Sequence, residues 1–245
     1  MKQHEAVIET MEKLGGIATL GQLYQEVLKG DNFAYETKTP HATIRRIVQT
    51  RPEIYKIKPG LYGLGSYHKQ LEDQGIIVET PKNKDSQQVE VFNHTYYQGI
   101  LLLHGNLLGL STFAPHQDKN QQFLNQKLSD VRSLQSLPQY SHPNIVQRSS
   151  TIDTIWFNER QMPHTFFEVE ASTEFINSFG KYVDLQDFYV EMVIVAPEAR
   201  RKEYESRLQS SQFDAIRRRI RFQTYEITVR KYELAAEQAK LNSLD

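Results

Sequence analysis

The residues TIDTIWF at 151–157 and FFEVEAS at 166–172 decide how this chain is read. Both runs are apolar enough to form strands, yet they carry Asp153, Glu168 and Glu170. Ionised carboxylates are costly inside a half-buried sheet unless something binds them. Side chains alternate faces along a strand, so Glu168 and Glu170 point the same way. A hairpin turn centred near Arg160 and Gln161 would set Asp153 opposite Glu168 on that face, with Cβ atoms roughly 4.5–5.5 Å apart. Three acids so close repel one another unless a cation joins them, which makes this the candidate for a divalent-metal site and for chemistry. Ile152, Trp156, Phe167 and Val169 occupy the other face and are expected to bury against a helix. Ile155, Phe157 and Phe166 share the acid face and are expected to floor a cleft. The alternative is an exposed edge strand whose Glu168 and Glu170 pair with Lys or Arg.

The rest of the composition bounds the options. A chain of 245 residues allows one large domain or two smaller ones. The absence of cysteine excludes disulfides and thiolate metal sites. A net charge of −1 carries no global sign of nucleic-acid binding, so any basic surface must be local. No apolar run is long enough to span a membrane. The opening MKQHEAVIETMEKLGG reads as a helix and not as a signal peptide, so a cytoplasmic location is expected. The histidines show neither HxH nor HxxxH spacing, and GxSxG and P-loop motifs are lacking, which argues against zinc-hydrolase, serine-hydrolase and P-loop chemistry. His104 reads as a core residue of an apolar helix. His116 and Asp118 read either as a loop cap or as neighbours of the acidic cleft.

Along the chain, residues 3–13 have helical periodicity, Thr19 caps a second helix, and Thr39-Pro40 opens a third after the polar loop DNFAYETKT. The run EIYKIKPGLYGL then reads as a hairpin around Pro59-Gly60. Three helices and a hairpin over 1–66 form the pattern of a winged helix-turn-helix. Residues 67–90 read as a linker, open to a helix in SYHKQLEDQ and exposed through ETPKNKDSQQ. Residues 91–245 read as a second domain: an apolar helix from His94, a strand at STFAP, an amphipathic helix over 118–137, strands at 149–157 and 164–171, a helix at 173–189, a strand at 191–196, a helix at 198–210, a strand at 221–229 and a polar C-terminal helix. The expected class is α+β or α/β, with a central mixed sheet flanked by helices.

A winged helix lays its third helix in the major groove and touches the backbone with its hairpin. That points to His41, Thr43, Arg45 and Arg46 on the third helix, with Arg51, Lys56 and Lys58 beyond it. The segment 41–58 carries five Arg or Lys against the single acid Glu53. The alternative role for such a module is protein interaction or dimerisation. A second basic group, Arg217, Arg218, Arg219 and Arg221, would either hold phosphates beside the acidic cleft or pair with acids of the C-terminal helix.

The strand bearing Asp153, the connection of about a dozen residues, the Glu-x-Glu strand and the following GKYVDLQDFYVEMVIVAP resemble the PD-(D/E)XK nuclease core over roughly 150–225, with weaker support back to 95. Residues 1–64, ending IRRIVQTRPEIYKIKPGLYGL, resemble the HARE-HTH type of winged helix, a module also found fused to restriction-endonuclease domains. The resemblance implies a restriction-like, Mg2+- or Mn2+-dependent DNA endonuclease. Asp153 and Glu168 would be metal ligands, with the Val169 carbonyl and Glu170 completing the shell. Lys181 and Gln186 would play supporting roles. Glu170 stands where the family usually has lysine, and Lys181 is placed to supply the missing positive charge. Cutting both strands with one site per chain implies a homodimer, and a companion methyltransferase or wider defence system would be the further partner. The departure at Glu170 also supports a second reading, a DNA-binding regulator with a degenerate nuclease-like domain. A third is a defence nuclease acting on RNA or modified DNA.

Overall fold

A computed structural model describes residues 2–29, 38–84, 86–172 and 174–242. Most of the expected loop DNFAYETKT lies outside the described residues. The chain divides into two compact units, Met1–Phe92 with Val229–Asp245, and Asn93–Thr228.

The first unit opens with helix α1 (Gln3–Lys13), strand β1 (Ile17–Thr19) and helix α2 (Leu20–Glu26). Thr19 starts α2 through a capping box: its hydroxyl accepts from the Gln22 amide, and the Gln22 side chain accepts from the Thr19 amide. Pro40 lies in the first turn of α3 (Pro40–Thr50), where its missing N–H costs nothing. Strands β2 (Ile54–Lys58) and β3 (Leu61–Leu64) turn at Gly60, whose φ of 71° suits glycine, and β1 completes an antiparallel sheet in the order β1-β3-β2. Val7, Met11, Leu23, Ile44 and Val48 form the core between helices and sheet.

The expected linker is partly structured. Helix α4 (His68–Asp73) and the start of α5 (Gln87–Leu107) lie within it, and Leu71 and Ile76 are buried. The division between units therefore falls inside α5 and not in a linker. Val229 onward, the greater part of the last helix, belongs with the first unit, because Tyr232 of that helix packs against Gly21 and meets the Thr19 hydroxyl at 3.2 Å.

The second unit follows α5 with β4 (Ser111–Phe113), the short pair β5 (Gln122–Phe123) and β6 (Gln126–Lys127), and helices α6 (Leu128–Val131) and α7 (Pro143–Ser149). Then come β7 (Thr154–Phe157), β8 (Pro163–Val169), α8 (Phe175–Asp184), β9 (Glu191–Ala196), α9 (Arg201–Leu208), β10 (Ile220–Thr224) and α10 (Tyr225–Asn242). Five strands form one mixed sheet in the order β10-β9-β8-β7-β4, parallel from β8 to β10 and antiparallel from β8 to β4. This is the expected mixed sheet flanked by helices.

Four expectations fail here; the simplest is the strand over 221–229, which stops at Thr224 where α10 begins. The amphipathic helix over 118–137 is instead a tight hairpin and a single helical turn. Leu124 takes a φ of 53° beside Asn125, and Phe123 pairs with Gln126 across them, so the apolar spacing served a turn. Residues 143–149 are helical where a loop and a strand start were expected, with Pro143 again in the first turn. Finally, Ile155, Phe157 and Phe166 floor no cleft. They are fully buried under α8 and α9 with Phe175, Phe179 and Tyr204, and Ile152 joins them instead of the opposite face. The opposite face of the sheet is covered by α5: the Trp156 indole N–H donates to the Leu101 carbonyl at 3.0 Å, and its ring packs on Phe167.

Candidate active site

The hairpin β7–β8 turns through residues 158–162, where Gln161 adopts a φ of 59°. Its register pairs Thr154 with Phe167, and one residue further the acids meet. Asp153 Oδ2 accepts from the Val169 amide at 2.8 Å, and the Asp153 amide donates to Glu168 Oε1 at 3.4 Å. Asp153, Glu168 and Glu170 are 7 %, 1 % and 4 % exposed, which rules out a solvated edge strand. The Glu170 amide continues the ladder by donating to the Val195 carbonyl.

Helix α8 brings two donors to this corner. Residues three apart share a helix face, and Ser178 and Lys181 both point at the acids. The Ser178 hydroxyl lies 3.1 Å from Glu168 Oε2 and also contacts Glu170 Oε1. Lys181 Nζ donates to Glu168 Oε2 at 2.7 Å and to the Thr151 carbonyl at 2.8 Å. Helix α5 supplies the other wall from residues four apart. His94 Nε2 lies 3.2 Å from Asp153 Oδ2, and the Gln98 amide donates to the Asp153 carbonyl at 2.5 Å and to Asp118 Oδ2 at 3.2 Å.

The electrostatics follow from the carboxyl groups of Asp153, Glu168, Glu170 and Asp118 set against the Lys181 ammonium and the His94 imidazole, with Arg200 reaching the Glu170 carbonyl at 3.5 Å. Burial first, and then the Asp153 charge, push the Glu168 carboxyl well above the usual carboxylate range. Burial would raise Asp153 too, but His94, Lys181 and the Val169 amide outweigh it and hold Asp153 below its ordinary value. Burial raises Asp118. Burial opposes the charged form of His94, yet Asp153 outweighs it and lifts the imidazole to about 9. Lys181 is likewise raised, burial being overcome by Glu168 and Asp153.

These oxygen donors have the chemistry of a Mg2+ or Mn2+ site, since Mg2+ characteristically takes one or two carboxylates and fills its shell with water and phosphate. The raised Glu168 carboxyl, next to the Asp153 charge, fits the same need. Among the described residues, however, no three His, Asp or Glu side chains converge to hold an ion. The lone pairs of Asp153 and Glu168 are turned to internal donors instead.

Of the residues expected to act here, Asp153, Glu168, Val169, Glu170 and Lys181 come together. Gln186 does not: it lines a cleft at the other end of the sheet beside Pro163 and Glu191, where its carbonyl accepts from Arg219. Arg217 is also displaced from the expected role. It donates to the Leu208 and Gln209 carbonyls at the end of α9 and pairs with Asp214. Arg218 is exposed at the same remote cleft as Gln186 and not beside the acids. Asp118 does approach the acids, whereas His104 is the core residue expected, edge-on to Trp156. His94, Gln98 and Ser178 went unrecognised in the sequence. The spacing of His94 and Gln98 by four, in a helix whose neighbours are apolar, was the available signal.

In the first unit the basic strip is thinner than its composition suggests. Thr43 is buried and donates to the Thr39 carbonyl at 3.0 Å. His41 packs edge-on against Tyr24, and Arg45 pairs with Glu237 at 2.9 Å and Glu233 at 3.7 Å. Lys58 is buried over the Phe92 ring, and burial brings its ammonium down to about 7. Arg46 and Lys56 are exposed and Arg51 is half-buried.

The family that the chain matches makes it a restriction-enzyme-like protein. Residues 76–245 match the family described as the type II restriction enzyme NmeDI C-terminal domain, and the chain belongs to that family. No curated protein and no solved structure matches the chain. Among the described residues no helix is long and apolar enough to cross a membrane.

Proposed function

We propose that the protein is a restriction-type DNA endonuclease with a PD-(D/E)XK-like site built on Asp153, Glu168, Glu170 and Lys181. The observation that carries this reading is the buried Asp153–Glu168 pair bound by Lys181 in a chain of a restriction-enzyme family. Mg2+ or Mn2+ held by Asp153 and Glu168, with the Val169 carbonyl and Glu170, would polarise a phosphoryl oxygen and activate a water. The chain's own groups do the rest. Lys181 replaces the absent strand lysine and presents a positive charge where negative charge grows on phosphate. His94 and Gln98 fix Asp153 by its carboxylate and its carbonyl. Ser178 holds Glu168 and Glu170 at one spacing. Burial and the Asp153 charge raise Glu168, so a bound cation would relieve the cost of its negative charge.

The first unit serves as the DNA-contacting module, a winged helix of HARE-HTH type. Arg46, Arg51 and Lys56 would meet phosphates, while Arg45 and Lys58 are committed internally. A homodimer supplies the second site needed to cut both strands. The test is incubation of supercoiled plasmid with Mg2+ or Mn2+. Wild type converts it to open or linear forms, and Asp153→Asn binds DNA without cutting it. One observation favours a DNA-binding regulator instead: the carboxylate lone pairs are already filled by internal donors, and Glu170 stands in place of lysine. Binding without nicking by wild type, on plain and methylated DNA and on RNA, would establish that second reading.

A further inference from the structure

At the opposite end of the sheet from the acids, where β8 and β9 begin, the second unit has a cleft of about 740 Å³. From Pro163 at this cleft to Glu168 is five strand residues, roughly 16 Å at about 3.3 Å each. The cleft is therefore separate from the acidic site. Its most unusual lining residue is Tyr189, which is fully exposed. The loop that presents it is firmly held. Arg219 donates to the Gln186 and Phe188 carbonyls, and Phe188 packs on Tyr140 and Phe166. With Phe188 turned inward, Tyr189 is displayed outward.

Arg218 flanks the same cleft, exposed and without an ion pair among the described residues. Arg221 reaches Glu191 only at 3.8 Å with 71 % of its side chain exposed. The guanidiniums of Arg218, Arg219 and Arg221 face the carboxylates of Asp187 and Glu191, so the lining stays positive. The Gln186 amide adds a group that can donate to and accept from a base edge, and the Asn158 side chain, whose oxygen is taken by the Arg160 and Met162 amides, adds a donor.

An aromatic platform with guanidiniums beside it is how proteins hold unpaired nucleotides without needing a duplex groove. We propose that this cleft binds an unpaired nucleotide of the DNA, its base stacked on Tyr189 and its phosphates against Arg218 and Arg221. The choice of ligand class rests on the DNA reading of the acidic site.

The test uses the full chain with EDTA present and a short single-stranded oligonucleotide carrying 5-iododeoxyuridine. Irradiation should cross-link Tyr189, identified by peptide mass spectrometry. Tyr189→Leu, at an exposed position that leaves folding intact, should weaken single-strand affinity about tenfold by fluorescence anisotropy. Arg218→Ser with Arg221→Ser should flatten the salt dependence of binding. Cross-links mapping only outside 186–191 and 218–221, or wild-type affinity in Tyr189→Leu, would overturn the proposal. Plasmid cleavage by the same preparation separates the two readings. Cutting without the Tyr189 cross-link sinks the nucleotide site alone, and the cross-link without cutting sinks the endonuclease alone.

Discussion

Gly105 lets helix α5 lie close against the sheet, and replacing it with alanine measures how tightly that helix is seated. A Cβ there would lie 2.6 Å from Thr112 Cγ2 and 2.6 Å from Trp156 Nε1. Carbon atoms prefer about 3.5–4.0 Å, so the overlap is near 1 Å. Neither neighbour can retreat cheaply. Thr112 is fully buried and bonded to Asn106 and Ser133, and the Trp156 indole is bonded to Leu101. Overpacking costs about 1–3 kcal/mol, and loosening the indole bond about 1 kcal/mol more. Against this, alanine gains about 1 kcal/mol of helix propensity over glycine. The net expectation is a loss of about 1–3 kcal/mol. At about 2–4 °C per kcal/mol, Tm should fall by several degrees. Gly180→Ala in α8 is the matched control, because a Cβ there meets nothing within 4 Å. It should gain up to about 1 kcal/mol from propensity alone. Urea unfolding followed through Trp156, the chain's one tryptophan, reads both variants. A Gly105→Ala protein as stable as wild type would refute the seating of α5, and with it the placing of His94 and Gln98 against Asp153.

Lys181→Ala should lower plasmid cleavage by roughly a hundredfold or more, with DNA affinity unchanged in a gel-shift assay; cleavage at the wild-type rate would remove Lys181 from the site. Ser178→Ala leaves Glu168 and Glu170 without their shared donor and should destabilise by about 1–3 kcal/mol in chemical denaturation. Lys58 has its folded-state pKa lowered to about 7 from 10.5, so between those values the unfolded chain binds a proton that the folded one does not. Stability should therefore rise with pH from about 7 toward 10. Lys58→Met should be more stable than wild type at pH 7 by on the order of a few kcal/mol, with the gap closing as the pH rises. Tm values that stay parallel across that range would show that burial at Lys58 carries no such cost.

The β7–β8 hairpin was legible because two constraints coincide there: alternation of apolar residues, and a turn that only one register closes without separating the acids. Lys181 was legible only through the resemblance to the nuclease core, which offered Gln186 equally, and Gln186 lies at the far cleft. The 118–137 region was not, because Phe123, Leu124, Leu128 and Val131 repeat with near-helical spacing while a left-handed Leu124 breaks the helix. Leucine gives no local warning of a positive φ, unlike glycine. Helix α5 was read as starting at His94, which left His94 at a frayed end and hid the wall it forms with Gln98; the helix in fact begins at Gln87. Arg45, Lys58 and Arg217 illustrate a further limit. Composition counts charges, but tertiary packing decides which of them water sees, and these three are spent on Glu237, on burial over Phe92 and on the end of α9.

The sheet order also sets a sequence of events in time. The β7–β8 hairpin closes through residues 158–162, whereas β9 joins only after the excursion of 170–190 through α8. Shorter loops close at lower entropic cost and local contacts form earlier. Asp153 and Glu168 are thus brought together before α8 delivers Lys181 and Ser178. The chain meets its carboxylate repulsion at the beginning of folding and receives relief only later. A proton, or a divalent ion present at that moment, would act as a folding aid, and refolding followed through Trp156 should quicken as the pH falls.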